Sequence, residues 1–150
     1  MSLQDWLKNG WLTEYQTSLQ EIKDLLVVAE RDLNDCRTAR KAGLSPDWQL
    51  NIAYNAALQL ATAALAAAGY RASREAHHYR VVGSLAYTIG ADAHVVARLD
   101  RFRKKRNISD YERAGSVSDK EVEEMLALAE NLNDSVRKWL KDNHPELVEH

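Results

Sequence analysis

Apolar residues recur along this chain in steps of three and four. Leu12, Tyr15, Leu19, Ile22, Leu26, Ala29, Leu33 and Cys36 keep that spacing, while Glu21, Lys23, Asp24, Glu30, Arg31 and Asp32 fill the positions between them. That pattern predicts a long amphipathic helix with one buried stripe, ending before Gly43. Ser45-Pro46 then restarts the chain as an N-cap followed by proline at the first helical position. The second helix closes at Gly69. A third is expected over residues 74–89, with Ala76, Tyr79, Val82, Leu85 and Ala86 inward and Gly90 as its stop. Asp92 caps a fourth, whose Val95, Val96, Leu99 and Phe102 lead into a basic run. Ser118 and Glu121 form a capping box for a fifth, in which Val122, Met125, Ala129, Leu132, Val136 and Trp139 repeat the spacing until about Asn143. Strand-like alternation is absent, and the connections are short. The pattern therefore predicts an all-α fold, an antiparallel bundle of about five helices.

Residues 48–70 carry no charged side chain. The stretch is long enough to span a bilayer, but Gln49, Asn51, Asn55 and Gln59 interrupt it, and alanine contributes little to insertion. A helix uncharged on every face belongs at the centre of a bundle, or between a bundle and a second copy of the chain. A homodimer is the expectation, with no membrane partner.

With 150 residues the chain suffices for one domain, 1–150 with its core at roughly 13–142, burying about two-thirds of the unfolded surface. The net charge of −2 excludes a surface built throughout for nucleic acid, so anion binding must be local. The single cysteine, Cys36, allows neither an internal disulfide nor a cysteine-based zinc site, and reads as helix filler. His77, His78 and His94 lack ligand spacing, and no Glu-x-x-His pair suggests a di-iron bundle, so no metal or cofactor is expected. Walker, dinucleotide and nucleophile-elbow motifs are missing. No apolar leader opens the sequence, and a cytoplasmic location is the expectation.

The local charge lies in one place. Arg98, Arg101, Arg103, Lys104, Lys105 and Arg106 hold 6 of the 20 bases in nine residues, with only Asp100 of the 22 acids among them. Such runs are most often solvated helix faces, yet this one suits phosphate or RNA backbone, with Phe102 or Tyr111 to stack on a base. Trp6 and Trp11 either mark a docking surface or cap one end of the bundle.

The order of elements resembles that of HEPN domains (higher eukaryotes and prokaryotes nucleotide-binding). The resemblance rests on an alanine-rich second helix (NIAYNAALQLATAALAAAGYR), a third opened by AHHYRVVGSL, and a basic helix ending in RKKRNISDYE. It covers about residues 13–139. It implies a nucleotide- or RNA-interacting module, dimer formation, toxin–antitoxin systems and a small nucleotidyltransferase partner. In ribonuclease members an Arg is followed, after four to six residues, by a His. Here Arg106 and Asn107 match the start of that motif, and Tyr111 takes the His position. A tyrosine titrates near 10 and is a poor general base at neutral pH, so the resemblance implies weakened or absent ribonuclease activity.

Arg106 and Tyr111 would lie about 140° apart on one continuous helix. They converge if the helix breaks near Asn107, or if a dimer joins two copies of the motif; the resemblance favours the dimer. The plainer reading pairs Arg106 with Asp110 at i, i+4. The competing functional reading is a noncatalytic helical dimerisation and protein-interaction domain.

Overall fold

Serine side chains start the long helices where the sequence places them. The structure, a computed structural model, describes residues 1–107 and 116–148, Asn107 by its backbone. Six α-helices occur among them: α1 (Leu3–Lys8), α2 (Leu19–Lys41), α3 (Pro46–Ala67), α4 (His77–Ser84), α5 (Ala93–Asn107) and α6 (Asp119–Asn143), followed by a 3-10 turn at Pro145–Leu147. Ser18 accepts from the Glu21 amide, Ser45 from the Trp48 amide ahead of Pro46, and Ser118 and Glu121 cap α6 reciprocally. Each cap satisfies an amide that the helix itself leaves unpaired. At the end of α2, Gly43 at φ 72° lets the Leu44 amide donate back to the Ala39 carbonyl and its own amide to Arg40, a left-handed closure that costs glycine least.

The fold is all-α, as the periodicity predicts, with one small exception. Leu12–Glu14 (β1) pairs antiparallel with Tyr70–Ala72 (β2), Leu12 opposite Ala72. The first long helix therefore begins at Leu19, not at Leu12. Leu12 is nonetheless buried and Tyr15 half-buried, and the inward stripe resumes at Ile22, whereas Leu19, expected inward, is exposed at the first position of α2. The overlooked signal was Ser18 three residues before Glu21, a helix-start pattern.

Helix α3 is the axis of the bundle: α2, α4, α5, α6 and β2 all pack on it. Its alanines, Ala53, Ala56, Ala57, Ala61, Ala63 and Ala64, are buried and allow that close approach. It is long and apolar enough to cross a membrane, yet most of it is buried inside the fold. Its apolar surface is thus largely covered within one chain, and no longer argues for a second copy. One hydrophobic cluster runs from Trp6 to Leu140, which extends the expected core of 13–142 toward the N-terminus.

Two further expectations need correction. Helix α4 is half as long as predicted, and Ala76, Tyr79 and Ala86 face outward while Val81, Val82 and Leu85 are buried. The reason lies at Gly83, where a Cβ would come within 3.2 Å of the Trp6 ring. The helix lies against that indole, and its inward face is set by the N-terminal segment. Trp6 is buried edge-on against Trp11 and Tyr87, with ring centroids 5.8 and 5.3 Å away, and the Arg80 guanidinium sits 3.7 Å above Trp11. Of the two readings of these tryptophans, capping the bundle is the one observed.

Candidate nucleic-acid interface

The basic helix α5 opens on Asp92, whose Oδ1 accepts the His94 amide at 2.7 Å. Leu99 and Phe102 bury its inner face, which turns the cations outward and toward α6. There the fold supplies acids that the local sequence does not show. Arg98 and Arg101 both donate to Glu124 Oε1, at 3.1 and 2.9 Å, and Lys105 donates to Glu121 Oε2 at 2.7 Å. Arg103 and Lys104 share Asp100, at 2.7 and 3.4 Å. Five of the six cations therefore face three carboxylates, and with Arg106 the patch keeps a surplus of about three positive charges. Burial would raise the Glu121 carboxyl, but the bonds from Lys105 and Ser118 outweigh it and hold the group below its ordinary range.

Arg106 differs from its neighbours. Its Nε donates to Asn51 Oδ1 at 2.7 Å, and its guanidinium lies 5.3 Å from the centre of the Tyr54 ring. Among the described residues its partners are thus an amide and a ring, which fix its position while leaving its charge uncompensated. Tyr54 is fully buried, its hydroxyl has no hydrogen-bond partner among the described residues, and burial pushes its pKa up to about 12 against the pull of Arg106 and Arg103. His78 is half-buried nearby; burial first, then the charges of Arg106, His77 and Arg103, lower its pKa and favour the neutral ring. Tyr111 and Asp110 lie outside the described residues, as does the side chain of Asn107.

Arg106 also lines a groove of about 620 Å³ between α2 and α3. Asp32, Trp48, Asn51, Ile52 and Asn55 are in its wall. Asn51 and Asn55 stand one turn apart on α3, and Trp48 one turn earlier, so they share a face. Asp32 was expected among the solvated residues of α2. It is instead 5% exposed, with Oδ2 accepting from Asn55 Nδ2 at 2.7 Å and Oδ1 from Arg31 at 3.0 Å. Sequence reasoning counted Asn51 and Asn55 only as polar interruptions of an apolar helix; their i, i+4 spacing was the available signal.

Cys36 is buried, its thiol raised by burial, with Sγ 3.5 Å from the Gln49 carbonyl. Among the described residues no three of His, Cys, Asp and Glu gather as a metal site would require.

An all-α bundle built on an alanine-rich central helix, with a basic helix delivering an anchored arginine to a polar groove, agrees with the family comparison. The HEPN domain model matches residues 22–139. The chain belongs to the HEPN domain family, and with it to the nucleotide- and RNA-related modules of that fold. A comparison with curated proteins gives no match.

Proposed function

We propose that this HEPN chain binds RNA or nucleotides through α5 and the adjoining groove, with Arg106 as the central phosphate contact. The observation that carries the reading is Arg106 itself, a cation held by Asn51 at 2.7 Å at the edge of a groove that also holds an exposed indole, Trp48. Arg98, Arg101, Arg103, Lys104 and Lys105 supply the surrounding positive field and steer the polyanion toward it.

The finer reading is a cytoplasmic toxin-type partner in a two-component system, paired with a small nucleotidyltransferase and carrying weakened or absent ribonuclease activity. Tyr111 in the motif's His position supports the loss of activity, since a phenol is a poor proton acceptor at pH 7. A homodimer is part of the proposal, supported by the family resemblance rather than by the apolar surface of α3.

Fluorescence anisotropy with a single-stranded RNA in chelator tests the binding reading. With about three surplus cations released onto phosphate, log K should fall against log salt with a slope of about −2. Lys104→Glu and Arg106→Ala should each weaken binding to all sequences alike. No binding at low salt, or binding indifferent to salt, returns the cluster to a solvated face.

A further inference from the structure

The polar wall of the groove has a donor and acceptor pattern more specific than phosphate binding requires. Asp32 is a carboxylate with only 5% exposure, and both its oxygens are engaged, Oδ2 by Asn55 at 2.7 Å and Oδ1 by Arg31 at 3.2 and 3.0 Å. The two holds are unequal. Asn55 is a half-buried residue of α3, whereas the Arg31 side chain is 62% exposed, and an ion pair to so exposed a side chain contributes little. A carboxylate oxygen accepts two bonds, and an amide nitrogen donates two. Asp32 can therefore receive a ligand's donors at both oxygens once Arg31 turns aside, while Asn55 Nδ2 keeps a second hydrogen to offer beside them.

Trp48 adds a flat surface. It is 54% exposed at the groove, an unusual state for the largest apolar side chain and a stacking platform for a planar ligand. Along α3, Asn55 lies one turn, about 6 Å, from Asn51, which holds Arg106, so a base edge at Asp32 and a phosphate at Arg106 fall within the length of one nucleotide.

We infer that the groove is a base subsite selective for guanine, in a nucleotide or RNA whose phosphate rests on Arg106; the inference rests on the nucleotide-binding reading above and names the base. Guanine's Watson–Crick edge carries two adjacent donors, the ring N1–H and the 2-amino group, beside the O6 acceptor. Asp32 takes the two donors and Asn55 donates to O6. Adenine and cytosine would turn a ring-nitrogen acceptor toward the carboxylate, and uracil offers one donor between two acceptors. A site whose buried polar groups are matched by one edge rejects the edges that leave them unpaired.

Calorimetric titration of the full chain with GMP, AMP, CMP and UMP tests the assignment. GMP should bind at least about tenfold more tightly than the other three. Asp32→Asn, close in shape, should abolish that preference, and Trp48→Ala should weaken all four nucleotides alike. Should Asp32→Asn fail to fold, Arg31→Ala provides a second arm: removing the exposed competitor for Oδ1 should tighten GMP and leave AMP unchanged. Equal affinity for the four bases, a GMP preference that survives Asp32→Asn, or an Arg31→Ala variant that treats GMP and AMP alike overturns the inference. So does failure of all four nucleotides to bind while RNA binding retains its dependence on salt and Arg106, a result that would leave the RNA reading standing. Loss of both would remove that reading as well.

Discussion

Replacing Tyr54 by phenylalanine should make this protein more stable, although the residue sits beneath the candidate site. The Tyr54 hydroxyl is buried without a hydrogen-bond partner among the described residues, and a polar group in that condition costs about 1–3 kcal/mol of desolvation. Phenylalanine keeps the ring under Arg106 and loses only the hydroxyl, leaving a small void that offsets part of the gain. A net stabilisation of about 1 kcal/mol is expected, or about 3 °C in Tm for a domain of this size. The effect should grow in alkali. Burial lifts the folded pKa to about 12 from the ordinary 10.0, so between those values the unfolded chain gives up a proton that the folded chain keeps. Wild-type stability attributable to this group is fully present below pH 10 and is lost as pH rises toward 12, by about 2–3 kcal/mol in all. Tyr54→Phe has no such group. Urea denaturation of both proteins at pH 7 and at stepped pH values above 9.5 measures the difference, with unchanged m-values as the check that the same surface unfolds. A Tyr54→Phe variant less stable at pH 7 by about 1 kcal/mol would show that the hydroxyl has a partner, and a pH-independent difference would refute the buried-phenol argument.

Two other outcomes follow from local geometry. Ser118→Ala should lower stability by about 1 kcal/mol in chemical denaturation, because Ser118 Oγ accepts the Glu121 amide at 3.1 Å at the start of α6; since the Glu121 carboxyl is held below its ordinary 4.5, its contribution should be present above that pH and lost as pH falls through the lowered value, and Glu121→Gln should flatten this acid limb. Arg80→Gln should cost about 1 kcal/mol and shift tryptophan emission, because the guanidinium stacks 3.7 Å above Trp11; unchanged stability and emission would show that the stack contributes nothing.

The long helices were legible because their ends are chemically marked. Ser45-Pro46, Gly69, Asp92 and the Ser118–Glu121 pair are local signals, and the boundaries fall beside them. Helix α4 was misread because its inward face is decided by Trp6, some seventy residues earlier, which no periodicity within 74–89 can contain. The first strand hid for a related reason: Leu12 and Tyr15 keep the inward rhythm of α2 from a different backbone.

At the site, the cations of α5 were visible as a run, but their partners Glu121 and Glu124 lie 16 to 26 residues away and meet them only through packing. Asp32 looked like one more surface acid, because its burial depends on Asn55 of the neighbouring helix. Charge is readable along a chain, whereas compensation of charge belongs to the fold.

The two-strand ladder has a bearing on the order in which the molecule assembles. It joins Leu12 to Ala72, closing a loop of about 60 residues, for which chain entropy alone asks about 4 kcal/mol. Three cross-strand pairs at about 0.2–1 kcal/mol each cannot offset that unaided. The ladder can close only after the α2–α3 hairpin has brought its two ends together, so residues 12–14 join late and leave early. Their amides would then exchange with solvent through partial openings that leave the helical core intact, which makes the first strand a natural reporter of how firmly the hairpin behind it is shut.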